Sequence, residues 1–171
     1  MDWLKSAEYH RRSIRLQGYD YSQAGAYFVT ICAQDRECLF GNIVDDKMRP
    51  NDVGQMVERW WVELGNKFPQ TETDEYVVMP NHFHGIIVIA GVALCVRPIS
   101  KIVQWFKTMT TNEYIRGVKR QDWIPFPGQL WQRNFYERII RNEGELHRIR
   151  QYIADNPAQW MHDRENPRIA M

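Results

Sequence analysis

The chain has 171 residues, 44% of them hydrophobic and 25% charged, an ordinary balance for one folded domain with a real core. No apolar run approaches the roughly 18 residues that a membrane-spanning helix needs. A net charge of +1 argues neither for nor against nucleic acid, so the distribution of charge matters more than its sum.

Residues 1–24 are polar and without period, and they read as an arm into a single domain. The arm holds the basic run His10 to Arg15 (HRRSIR) and lacks a signal peptide's apolar centre. The three cysteines, Cys32, Cys38 and Cys95, form no close metal-type pair. Together these features predict reduced thiols in the cytoplasm, with Cys32 in the core.

Ala26–Gln34 (AYFVTICAQ) is β-branched and aromatic, which predicts a strand. Val53, Met56, Val57, Trp60, Trp61 and Leu64 follow at helical spacing, with Asn51 or Asp52 as cap and Pro69 beyond the end. Glu75–Met79 predicts a short strand and Pro80–Asn81 a turn. The run after it, HFHGIIVIA, predicts a central strand, apolar on both faces beyond Gly85.

Ile99, Ile102, Val103, Phe106 and Met109 mark a second amphipathic helix, expected to end near Gly117. A loop rich in proline leads to Leu130–Arg141, read as a strand with a helix as the alternative. Asn142 and Glu145 stand at capping-box spacing and open a last helix that closes at Asn156–Pro157. Residues 158–171 form a short tail. The order β-α-β-β-α-β-α predicts an α+β fold. Its first six elements match a ferredoxin-like split βαβ, an antiparallel sheet with helices packed on one face, and a C-terminal helix follows.

Two patterns carry chemistry. In a strand, His82 and His84 leave the same face about 7 Å apart while Phe83 points away. Such imidazoles can share a metal ion, grip a phosphate, or simply lie at the surface. On the last helix, Leu146, Ile149 and Ile153 form the buried stripe, with Tyr152 and Asn156 as i, i+4 neighbours on its edge. A packing tyrosine and a helix-ending asparagine explain that pair equally well. Taken with the histidines, however, two imidazoles and an amide oxygen offer three neutral ligands to Mg²⁺ or Mn²⁺, leaving its charge for phosphate oxygens. A zinc hydrolase built on the histidines lacks a third acidic or histidine ligand at useful spacing.

Three blocks in order carry a family resemblance: GYDYSQAGAYFVTICAQDRECLFG, MPNHFHG, and LWQRNFYERIIRNEGELHRIRQYIADNP. Through them residues 10–160 resemble the single-tyrosine HUH transposases (IS200-like), and within these the REP-associated tyrosine transposases. The resemblance implies that Tyr152 is the catalytic nucleophile, that His82 and His84 are metal ligands, and that Asn156 completes the metal site. It implies cutting of single-stranded DNA at palindromic hairpins through a 5′-phosphotyrosyl link, with Mg²⁺ or Mn²⁺ and no nucleotide cofactor or membrane. It also implies a nucleoid-associated cytoplasmic protein, and it favours a monomer over a dimer that shares active sites. A rival reading is a hairpin-binding protein that has lost strand transfer, although binding alone needs no nucleophile. The segment Ala90–Pro98 is short for the family, which bears on any DNA contact made there.

Single strands are held by basic grooves with aromatic platforms. Arg11, Arg12 and Arg15 on the arm, Lys101 and Lys107 on the second helix, and Arg133 beside Phe135 and Tyr136 are the candidate phosphate contacts. His147 and His162 are expected at the surface.

Overall fold

The computed structural model describes residues 25–90 and 99–169. Strand β1 (Gly25–Cys32) lies near the centre of a four-stranded antiparallel sheet with β4 (Thr71–Val78), β5 (His82–Ile89) and β6 (Tyr136–Ile140), in the order β4-β5-β1-β6. This is the strand order of the expected split βαβ. Between β1 and β4 run the hairpin β2 (Gly41–Val44) and β3 (Lys47–Pro50), helix α1 (Asp52–Val62) and the short helix α2 (Leu64–Lys67). Helix α3 (Ile99–Arg120) and helix α4 (Glu143–Asp155) complete the set, and a 3-10 turn at Trp160–His162 follows.

Alternation along the strands gives the sheet two different faces. Tyr27, Val29 and Ile31 of β1 and Phe83 and Ile87 of β5 join Val53, Met56, Val57 and Trp61 of α1 and Ile102, Val103 and Phe106 of α3 in one apolar core. Trp61 packs on Phe83 at 4.5 Å between ring centroids and meets Phe106 at 5.5 Å. On the opposite face, Phe28, Ile86 and Ile140 meet Ile149 and Ile153 of α4 in a smaller cluster. His82 and His84 project from that second face, in line with Ile86.

Local chemistry sets the boundaries. Asn51 caps α1 by accepting from the Gly54 N–H at 2.9 Å, and Asn142 caps α4 by accepting from the Glu145 N–H at 2.9 Å. Gly85 leaves a gap that Trp61 fills, since a Cβ there would come within 2.4 Å of the indole.

Several elements differ from the sequence expectation, among them β1, which ends at Cys32 rather than Gln34, and α1, which stops at Val62 with Leu64 opening α2. Helix α3 runs past Gly117 to Arg120. That glycine is a packing gap rather than a stop, because Trp123 folds back where its Cβ would stand, 2.2 Å away. Strand β4 begins at Thr71 rather than Glu75 and breaks register between Thr73 and Tyr76. Strand β6 is confined to Tyr136–Ile140, while Trp131 makes an isolated bridge to Ala33. The β2–β3 hairpin has no counterpart in the expected order. Its turn places Asp45 and Asp46 at φ 51° and 57°, left-handed conformations that aspartate tolerates without announcing them as glycine would. Among the described residues, no helix is long and apolar enough to cross a membrane.

Candidate active site

The site lies where β5 begins, under the C-terminal end of α4. The register sets Thr30 of β1 opposite His84 and Cys32 opposite His82. The two imidazoles lie 4.6 Å apart between centroids, and the Tyr152 ring is 5.4 Å from that of His84. Phe28 stacks on His84 at 5.4 Å and meets Tyr152 edge-on at 6.0 Å, so one aromatic residue braces both. The i, i+4 spacing on α4 then brings Asn156, buried at the helix end, to the same place. His82, His84, Tyr152 and Asn156 thus meet in space as the sequence pattern anticipated.

The histidines are core residues, 0% and 4% exposed. His84 Nδ1 lies 2.7 Å from the Thr30 hydroxyl, and His82 Nδ1 lies 2.9 Å from Asn81 Oδ1. Burial lowers both basicities. His82 falls to about 4 even though Glu165 and Asn156 favour its charged form, and His84 falls well below 6.5, pressed further by His82. Both rings are therefore neutral near pH 7, the state a metal ligand requires.

Burial raises the Tyr152 phenol above its usual value of 10, with Asp163 adding to the effect and Asn156 opposing it. A raised phenol holds its proton more firmly, so attack by its oxygen requires an acceptor for that proton.

Among the described residues, no partner comes within hydrogen-bond distance of two buried polar atoms in this cleft, His82 Nε2 and Asn156 Oδ1, so the influence of Asn156 on His82 and Tyr152 acts over a longer reach. Leaving such atoms unmet is costly, and both are electron-pair donors. Asp163 Oδ2 stands 3.6 Å from His82 Nε2, beyond hydrogen-bond length, and burial raises its carboxyl. Unmet nitrogen and oxygen donors beside a carboxylate suit a hard divalent cation. Among the described residues, no group of three or more His, Cys, Asp or Glu side chains is arranged to hold a metal ion. An ion here would thus depend on the carboxamide of Asn156.

The tail contributes more than its sequence suggested. Asn81 Nδ2 donates to the Glu165 carbonyl at 2.7 Å, and Asn166 Nδ2 donates to the Trp160 carbonyl at 3.0 Å, folding the tail over the start of β5. The Trp160 ring lies 6.1 Å from that of His82. Asn81, Thr30 and Asp163 thus belong to the site's surroundings, although sequence reasoning singled out none of them for a role there. Only Asn81, adjoining the histidines in PNHFH, offered a local signal.

The basic candidates fare differently. Arg11, Arg12 and Arg15 lie outside the described residues, as do Cys95 and residues 91–98 of the short connection. Lys107 turns inward, its ammonium donating to the carbonyls of Gln132, Arg133 and Asn134 at 2.8, 3.3 and 3.3 Å, and burial brings its pKa down to about 8. Arg133 and Lys101 are exposed, as are His147 and His162. Cys32 is half-buried, its thiol raised to about 12 chiefly by burial, and Cys38 is exposed.

An antiparallel sheet with two helices behind it and a tyrosine-bearing helix across its front defines an α+β protein in which a tyrosine, two histidines and an asparagine share one cleft. The family described as "Transposase IS200 like" matches residues 22–156, and the chain belongs to that family. An uncharacterized protein of Haemophilus influenzae is 39% identical over 166 residues, covering 91% of this chain and 92% of its own. Among solved structures, a REP-associated tyrosine transposase bound to a REP hairpin superposes with a TM-score of 0.62 at 20% identity, covering 85% of this chain and 74% of that one. A transposase from Deinococcus radiodurans R1 described as putative gives a TM-score of 0.50 at 17% identity, covering 82% and 95%. At these identities the two structures speak to the fold alone.

Proposed function

We propose that the chain is a metal-dependent endonuclease and strand transferase that acts on single-stranded DNA at palindromic hairpins, with Tyr152 as its nucleophile. The observation that carries this reading is the meeting of Tyr152 with His82, His84 and Asn156, where His82 Nε2 and Asn156 Oδ1 have no hydrogen-bond partner among the described residues. Membership in a transposase family supports it, as does the likeness in fold to a transposase bound to a REP hairpin.

His82, His84 and Asn156 would hold Mg²⁺ or Mn²⁺. Such an ion, when bound, supplies positive charge that polarises and orients the scissile phosphate. The Tyr152 oxygen forms a bond to phosphorus as the bond from phosphorus to the 3′ oxygen breaks. The phenolic proton leaves to an acceptor, water among the candidates, and the departing 3′ oxygen takes up a proton to become a free 3′-OH. One phosphoester replaces another, so a 5′-phosphotyrosyl link conserves the bond energy and no nucleotide cofactor is consumed. Phe28 holds the Tyr152 ring beside His84, which spares the orientation cost of attack. Exposed Arg133 and the arm residues Arg11, Arg12 and Arg15 are proposed phosphate contacts, each worth about 0.7 in the salt slope of single-strand binding. Lys107 belongs to that proposed set only if strand binding draws it from its three carbonyls. The chain is proposed to work as a monomer.

The test is to incubate the chain with Mg²⁺ or Mn²⁺ and hairpin oligonucleotides taken from beside its own gene. Cleavage should require the ion, and His82→Ala with His84→Ala should abolish it while hairpin binding persists. Hairpin binding without cleavage by the unaltered chain, under every ion tried, would favour a binding protein that has lost strand transfer.

A further inference from the structure

Asn81 is 1% exposed, and both its Nδ2 and its Oδ1 meet named partners. Its Nδ2 donates to the Arg36 carbonyl at 3.0 Å and to the Glu165 carbonyl at 2.7 Å. Carbonyls only accept, so both must face the amide nitrogen, and the orientation of the carboxamide is fixed. Its Oδ1 is then turned to His82 Nδ1, 2.9 Å away. Oδ1 also only accepts, so the hydrogen between them must sit on the imidazole.

We propose that Asn81 is a positioning residue that fixes the tautomer of His82, keeping its proton on Nδ1 and its Nε2 lone pair open towards the site. A neutral imidazole carries one hydrogen, and acceptors on either side of the ring compete for it, Asn81 on one and Asp163 with the Asn156 carboxamide on the other. Asn81 Oδ1 holds Nδ1 at hydrogen-bond distance, whereas Asp163 Oδ2 stands 3.6 Å from Nε2. Without Asn81, the carboxylate would draw the proton to Nε2 and close the ring nitrogen that has no hydrogen-bond partner among the described residues. The same carboxamide ties three segments together, namely the turn after β1 through Arg36, the start of β5, and the tail through Glu165. Folding of the tail and readiness of His82 therefore share one residue.

The test is two-bond ¹H–¹⁵N correlation spectroscopy of the ¹⁵N-histidine-labelled full chain at neutral pH without metal, with His82 assigned from His82→Ala. The unaltered chain should show a protonated Nδ1 and a bare Nε2, and the reverse pattern would overturn the proposal. Asn81→Leu, which removes the acceptor, should move the proton to Nε2. Asn81→Asp keeps an acceptor but loses both donated bonds, so Nδ1 should stay protonated even as the melting temperature falls. A merely structural role predicts lower stability in both variants and an unchanged His82 spectrum in both, which would sink the assignment. Titration with Mn²⁺ alone adds a second readout that rests on the metal reading above. Affinity should fall about 10- to 100-fold in Asn81→Leu, the usual range for losing a ligand's supporting partner, and hold within a few-fold in Asn81→Asp. Spectra that follow this pattern while even the unaltered chain fails to bind Mn²⁺ would uphold the tautomer assignment and remove the metal reading.

Discussion

The two faces of the sheet are built to different rules. Behind β1 and β5, Trp61, Phe83, Phe106 and their neighbours fill the space with apolar side chains. In front, the buried apolar cluster is smaller, Phe28, Ile86, Ile140, Ile149 and Ile153, and buried His82, His84 and Asn156 lie beside it. One strand serves both purposes because its side chains alternate, with Phe83 and Ile87 behind and His82, His84 and Ile86 in front. The back face supplies the stability that lets the front face hold unmet donors and neutral buried histidines. Segregating the two roles means that damage to one should leave a recognisable signature in the other.

Trp61→Ala should produce the largest effect on stability. Emptying the place of a fully buried indole packed on Phe83 should cost about 3–5 kcal/mol, read by denaturant unfolding, and cleavage should fall only in proportion to the folded fraction. Loss of activity in the folded protein would mean that the faces are not separate. Thr30→Val should cost less, about 1–3 kcal/mol, because it takes from buried His84 its hydroxyl partner. Its cleavage should fall beyond what the loss of folded protein explains, which marks it as a front-face residue.

A smaller effect is expected at Glu145, which anchors the start of α4. Burial opposes its charge, but the Arg141 N–H and the Arg138 guanidinium overcome this and hold the carboxyl below its ordinary 4.5. A carboxyl lowered in the folded state stabilises fully above the unfolded value and loses that contribution as pH falls through the folded one. Melting of Glu145→Gln should therefore lie below that of the unaltered chain at pH 7, and the gap should narrow as pH drops below 4.5. A gap that widens on acidification would contradict the assignment.

The back face was largely legible in the sequence, and so was the pairing of strand histidines with a helix tyrosine. Both rest on strict periods: 3.6 along α1, where Val53, Met56, Val57 and Trp61 share a stripe, and 2 along β5. The Asn142 cap was equally readable because its partner lies three residues away. What escaped was fixed by contacts distant in sequence. Trp123 occupies the space beside Gly117, so a residue that usually ends a helix lies inside one. Lys107 offered a cation for phosphate, yet its ammonium collects three carbonyls of the irregular segment that leads into β6. The tail has no period at all. Its place is set by Asn81, 84 residues before Glu165, and no spacing rule links such a pair.

The central claim is that Tyr152 becomes joined to DNA. Its most direct test is a peptide map of the covalent adduct formed with a hairpin oligonucleotide and Mg²⁺ or Mn²⁺, run beside Tyr152→Phe, Tyr136→Phe and Tyr114→Phe. Tyr152→Phe removes one oxygen and keeps the ring that meets Phe28 and His84. The account predicts the phosphodiester link on Tyr152, its disappearance in Tyr152→Phe with hairpin binding intact, and normal adducts in the other two variants. A link mapped to Tyr136 or Tyr114, or full cleavage by Tyr152→Phe, would contradict it.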